Sequence, residues 1–209
     1  MTILFILGGI LVPALLAGVI IAIGYITSGY NPLGETISRL AIYGAPYAEL
    51  VIVSFIVYGI FICAIAYGSY RTLRNRKHAK TFGALLAIHG AGMILAAVFR
   101  DNVHPQGMWP VIEDVLHNTL ASISYMAFLM GILITTIYTF RDVTLKPIVL
   151  LGCLVIVINI PLPAILIMDR FELIDGLVQR LTFAISLLWL VAVSLQLFRL
   201  NRHLAKTQT

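Results

Sequence analysis

Apolar residues in this chain come in long unbroken runs, not in the alternating or one-faced patterns of a soluble core. Six runs reach the length of a bilayer crossing, at about 3–27, 47–70, 81–99, 115–139, 147–168 and 179–199; a spanning helix needs ~20 largely apolar residues. Only short connections separate them. The pattern predicts an all-α polytopic membrane protein: a six-transmembrane-helix bundle forming one domain over residues 1–209.

The polar positions are sorted by connection. The second and fourth connections and the tail carry Arg71, Arg74, Arg76, Lys77, Lys80, Arg141, Lys146, Arg199, Arg202 and Lys206 against one acid, Asp142. The first, third and fifth carry the other eight acids: Glu35, Glu49, Asp101, Glu113, Asp114, Asp169, Glu172 and Asp175. Lys and Arg in short loops set orientation. Both termini are therefore expected in the cytoplasm of a multi-pass cell-membrane protein, with the acidic face outward.

Composition agrees. The 209 residues are 60% hydrophobic and only 11% charged, with a mean hydropathy of +1.00, whereas soluble domains average roughly a quarter charged. The net charge of +5 is read as topogenic bases facing anionic lipid, not as a nucleic-acid surface. The first run, Ile3 to Ile26, has no preceding Lys or Arg and exceeds the ~7–15 residues of a signal core, so it is read as a permanent span. Cys63 and Cys153 fall inside spans and are read as packing residues.

Helices in lipid associate through small residues. Ala14, Gly18 and Ala22 in the first span, and Gly83, Ala87 and Ala91 in the third, recur every four positions; Gly92 and Ala96 add a second row. Spans 1 and 3 are expected to be central. Pro13 should bend span 1, Pro161 and Pro163 should bend span 5, and Asn159 should bond a carbonyl that they free.

The candidate chemistry lies on the acidic face. In the first connection Asn31-Pro32 marks a turn, and Ile37, Leu40 and Ala41 suggest a short amphipathic interfacial helix with Glu35 and Arg39 as i,i+4 partners. In the third, Asp101, His104, Asp114, His117 and Asn118 cluster at the rim. Either Asp101, His104 and His117 hold a divalent metal such as zinc, or a His–carboxylate pair acts as general base, or these groups cap helix ends and pair with Arg100 and Arg180. Near the fifth, Asp175 and Gln179 are i,i+4 neighbours, and Arg180 is either a phosphate fork or a snorkelling side chain. His89, mid-span, is either functional or a neutral imidazole bonded to a neighbouring helix. A heme pair has no second histidine at matching depth.

The string Tyr30-Asn31-Pro32-Leu33-Gly34-Glu35-Thr36-Ile37-Ser38-Arg39-Leu40, with Gly44-Ala45-Pro46 beyond it, resembles the first loop of a prokaryotic six-helix membrane family catalogued as a domain of unknown function. Phe99-Arg100-Asp101 and His117-Asn118 resemble its second hallmark. That family is similar in architecture to FRAG/DRAM/SFK-type membrane proteins, some linked to lipid remodelling, which implies a lipid-related role. Arg100 stands where the family pattern has a small residue or proline, leaving Asp101 either a free ligand or a salt-bridged one.

Two function classes follow. The first is an enzyme, a hydrolase or transferase, acting on a lipid or lipid-linked substrate. Asp101 and His117 would be base or metal ligands, with Ser38 and Glu35 in the same site. Arg39, Arg100, Arg180, Asn118 and Asp175 would bind substrate. The second is a non-catalytic module: a lipid or small-molecule binder, a transporter, or an accessory subunit. The expected partners are membrane lipids, with a homo-oligomer or larger membrane complex also open.

Overall fold

A computed structural model describes residues 5, 7–73, 77–101, 107–140, 146–161 and 174–206. Its helices are α1 (Val12–Ile26), α2 (Ala48–Leu73), α3 (Ala79–Val98), α4 (Met108–Thr139), α5 (Lys146–Asn159) and α6 (Asp175–Lys206). All but α5 are long and apolar enough to cross a membrane, α1 together with the turn before it. The protein is a polytopic helical membrane protein. The 14 residues of α5 rise about 21 Å, and positions 162–168 of the expected fifth span lie outside the described residues, Pro163 among them. α4 begins seven residues before the expected 115, because Met108, Trp109 and Pro110 already wind into its first turn.

A π-helical turn, Leu7–Leu11, precedes α1, with Pro13 in the first turn of the α-helix. Proline has no N–H to donate and its ring crowds the carbonyl four residues back; the wider π turn removes that conflict. This is how Pro13 acts on span 1. The same turn brings Gly9 so close to Ser194 of α6 that a Cβ would overlap the serine side chain. The turn before α1 thus lies beside the far half of α6, and the start of α1 and the end of α6 share one end of the bundle.

α3 is central, between α2 and α4. A Cβ on Gly59 would sit 2.6 Å from Gly90 O, and one on Gly92 would sit 2.6 Å from Ser124 Cβ. The Gly92/Ala96 row therefore packs as expected. The first-span row does not. Ala14, Gly18 and Ala22 face outward, and Gly18 has open space around it, because Leu16, Ile20 and Ile23 take the inward face of α1. Close approach is supplied instead by Gly8 and Gly9 one turn earlier.

The core between α2, α3, α4 and α6 holds Trp189, edge-on to Phe82 and Phe128, and His89, stacked on Phe128 at 4.5 Å. Ser124 Oγ donates to His89 O at 2.9 Å, so it accepts from His89 Nδ1–H, also at 2.9 Å. His89 Nε2 is then the acceptor for the Tyr58 hydroxyl at 3.2 Å. Each polar atom of this buried trio is satisfied, which is the neutral, helix-bridging state of His89. Asn159 is likewise closed. Its amide donates to Val155 O at 3.0 Å, and its Oδ1 accepts from Tyr125 and Ser186. The thiol of Cys63 donates to Ala87 O, whereas Cys153 faces outward rather than packing inside.

Candidate functional site

The first loop folds back over the bundle end opposite the start of α1 and the end of α6. Leu33 N–H bonds Asn31 Oδ1 at 3.1 Å, and Asn31 N–H bonds Glu35 Oε2 at 2.7 Å, closing a turn around Pro32. The expected interfacial helix is a single 3-10 turn, Ile37–Ala41, with Ile37 and Leu40 buried beneath it. Glu35 precedes that turn, so it is not one helical turn from Arg39. Its carboxylate goes to Asn31, and the expected Glu35–Arg39 pair is not formed.

The first turn of α6 holds this loop in place. Arg180 donates to Pro32 O at 2.7 Å, Glu35 O at 2.9 Å and Gly176 O at 2.9 Å, and also to the Tyr30 hydroxyl. Tyr30 OH donates onward to Thr36 O at 2.9 Å. Gln179 Oε1 accepts from Ile37 N–H at 2.5 Å, capping the 3-10 turn. Gln179 is thus turned to the loop rather than paired along α6 with Asp175, which opens that helix where its charge favours the helix dipole. Leu177 N–H bonds Leu33 O at 2.8 Å. Gly176 is required here, since a Cβ would overlap Glu35 O. Burial pushes the Tyr30 phenol above its usual pKa, with Arg180 acting against that rise. Arg180, expected as a phosphate fork or a snorkelling side chain, therefore commits the N–H groups of one terminal nitrogen to backbone carbonyls and one N–H of the other to Tyr30.

A second group forms where the loop meets α3 and α4. Ser38 Oγ donates to Asp101 Oδ2 at 2.8 Å, and Thr36 Oγ1 lies 3.0 Å from Ser38 Oγ. Since the Ser38 proton goes to Asp101, Thr36 is the donor of that second bond. His117 Nδ1 lies 2.8 Å from Ala96 O and 2.9 Å from Phe99 O. These are carbonyls at the end of α3, where the chain turns toward Asp101. Arg39 rides on the 3-10 turn, half-buried. Asn118 is exposed, its amide on Asp114 O at 3.0 Å. Ser38 and Asp101 are thus brought together, with His117 bonded two residues from Asp101 in the chain; Glu35 belongs to the Arg180 group. His104 lies outside the described residues, among which no three His, Cys, Asp or Glu side chains gather as a metal set.

Arg100 does not pair with Asp101. Its guanidinium bridges to Glu49 and lies 4.5 Å above the Tyr43 ring. Tyr43 donates to the buried carboxylate of Glu113, 3.0 and 3.1 Å from its two oxygens. That bond, more than burial, raises the Tyr43 pKa. The Tyr43–Glu113 pair was not visible in the sequence, although a carboxylate entering an apolar span always needs a donor. Beside Arg100 a hollow of about 360 Å³ opens at the start of α2, between Gly44 and Leu50.

Neither a curated protein nor a solved structure matches the chain. A family model matches residues 10–196, which takes in the first loop, the Asp101/His117 group and the Arg180 clamp. The chain accordingly belongs to the family described as a protein of unknown function, DUF998.

Proposed function

We propose that Ser38, Asp101 and His117 form a reactive site of the hydrolase or transferase class for a lipid or lipid-linked substrate. The observation that carries this reading is the pinning of His117. Main-chain carbonyls only accept, so Nδ1, 2.8 and 2.9 Å from two of them, holds the proton of the neutral ring. Nε2 then keeps its lone pair. An imidazole with its tautomer fixed by its outer nitrogen is a prepared general base, and equally a prepared metal donor.

Nε2 takes the proton of an attacking hydroxyl and returns it to the leaving oxygen; water attacks in a hydrolase, an acceptor alcohol in a transferase. Asp101 orients Ser38, whose hydroxyl contacts the substrate, while Arg39 and Asn118 supply head-group contacts at the rim. A zinc ion in this site would take His117 Nε2 and the Asp101 carboxylate. The Lys/Arg bias puts the termini in the cytoplasm and this site on the outer face of the cell membrane.

The test is His117→Asn, which keeps an N–H near the Nδ1 position and removes the base. The expected result is a changed lipid profile in cells carrying the variant, at unchanged protein level and thermal stability. An unchanged lipid profile overturns the proposal. Zinc content of the purified protein, compared with that of Asp101→Asn, tests the metal.

The hollow beside Arg100 favours a second, non-catalytic reading: a lipid or small-molecule binder, or an accessory subunit of a larger membrane complex. An anionic group there meets a guanidinium stacked on an aromatic ring and displaces Glu49, whose side chain is 77% exposed. An anionic ligand that co-purifies, is lost in Arg100→Gln and is not turned over supports this reading. Its retention in Arg100→Gln rejects it.

A further inference from the structure

We propose that Arg39 holds the phosphate of the substrate, which makes that substrate a phospholipid. The inference rests on the loop-end site proposed above and names its ligand. It starts from how the arginines of this end are used. Arg180 is committed to the carbonyls of Pro32, Glu35 and Gly176 and to Tyr30. Arg100 bridges to Glu49 and lies on the Tyr43 ring. The Arg39 side chain, half-buried on the 3-10 turn, has no hydrogen bond, ion pair or ring contact among the described residues. The nearby carboxylates are taken: Glu35 goes to Asn31, Glu49 to Arg100 and Asp101 to Ser38. A guanidinium drawn partly out of water and left without an anion loses hydration without compensation.

The turn decides where Arg39 stands. In a 3-10 helix side chains at i and i+3 eclipse, and Arg39 N–H bonds Thr36 O at 3.3 Å. Ile37 and Leu40, the pair on the inward face, are buried. Arg39 therefore leaves the turn on the side of Thr36, whose hydroxyl lies 3.0 Å from Ser38 Oγ. Asp101 bonds the same serine hydroxyl, and its charge repels an anion. The phosphate is thus held at the arginine, and the uncharged ester part of the lipid faces Ser38.

The level of the site selects a lipid as the source of that phosphate. Tyr43, Tyr47 and Trp109 are exposed at this end, and such rings gather at the membrane–water interface, at the height of the head groups. A guanidinium meets two phosphate oxygens with parallel N–H bonds, a match that an ammonium lacks.

The experiment offers the full chain, purified in mild detergent, equal amounts of phosphatidylglycerol and a galactosyl diacylglycerol with the same acyl chains. Native mass spectrometry reads the bound lipid. Wild type should prefer the phospholipid roughly tenfold, the scale of one charge-assisted fork. Arg39→Gln should lose that preference at unchanged thermal stability, and Arg39→Lys should keep part of it. Asp101→Asn should raise it, because a neutral amide no longer repels the phosphate. A preference unchanged in Arg39→Gln overturns the proposal and leaves Arg39 a snorkelling side chain. Should that variant not fold, the absence of a gain in Asp101→Asn overturns it. Release of the bound lipid by millimolar inorganic phosphate assigns the arginine to a free ion and overturns it as well. His117→Asn should keep the full preference, so binding and chemistry fail separately. An unchanged lipid profile in His117→Asn cells, with the Arg39-dependent preference intact, removes the chemistry and leaves the phosphate site; the reverse pair of results removes the phosphate site alone.

Discussion

Two polar groups share the loop end of the bundle and are built in opposite ways. Around Arg180 side chains bond the main chain: three carbonyls of the first loop and of α6's first turn take the guanidinium, and Gln179 takes a loop N–H. Around Asp101 the bonds run between side chains, Ser38 to Asp101 and Thr36 with Ser38, and His117 commits one ring nitrogen to carbonyls. A cation tied to carbonyls has few donors left for a ligand. A carboxylate shared with one hydroxyl retains acceptor capacity, as does an imidazole that bonds, among the described residues, through one nitrogen. Residues of similar appearance thus divide into those that seat the loop and those that keep bonding capacity once it is seated.

The sharpest way to break this division is Arg180→Ala. It takes the charged donor from the carbonyls of Pro32 and Glu35 and from the Tyr30 hydroxyl, and bonds to a charged group are worth ~1.5–3 kcal/mol each. We expect a loss of about 3 kcal/mol in reversible unfolding, with Arg180→Lys restoring less than half because an ammonium lacks the fork. Equal stability of wild type and Arg180→Ala would erase the distinction. Gly176→Ala comes next, at ~1–3 kcal/mol, since the added methyl meets the backbone oxygens of Glu35 and Pro32; increased proteolysis within Ser28–Pro46 is the readout.

Ser38→Ala, in the other group, removes two part-buried bonds, one to Asp101 and one from Thr36, and should cost ~1–2 kcal/mol, while, on the function proposed above, altering lipid turnover more than Arg180→Lys does. The smallest effect is alkaline. Tyr30 has its folded pKa raised above the usual 10, so the folded state holds its proton longer than the unfolded state. Its contribution is complete below about pH 10 and is lost as pH rises through the folded value. Tyr30→Phe should flatten that alkaline decline, measured as unfolding midpoint against pH.

Much of the architecture was legible because it depends on local runs. The helices follow the length of each apolar stretch, and the Gly92/Ala96 contact with Ser124 follows from residue size. What escaped depends on pairing across distance. Gly18 and Gly92 look alike in sequence, yet only Gly92 meets another helix, because Leu16, Ile20 and Ile23 set which way α1 faces. Arg180 was legible as an arginine needing a partner, but not as one whose partners are the carbonyls of Pro32 and Glu35. Ser38 and Asp101 were both singled out, whereas their contact depends on a 3-10 turn in place of a longer helix.

The clamp on the first loop also imposes an order on biosynthesis. Pro32 and the arginine that binds its carbonyl are 148 positions apart. At ~5–20 residues per second, a ribosome needs roughly 7 to 30 seconds to travel between them. During that interval the loop has been made and its latch has not, so the acidic face stays unassembled until the sixth helix enters the membrane. A chain truncated before Gln179 would carry the loop and the serine yet lack the grip that seats them.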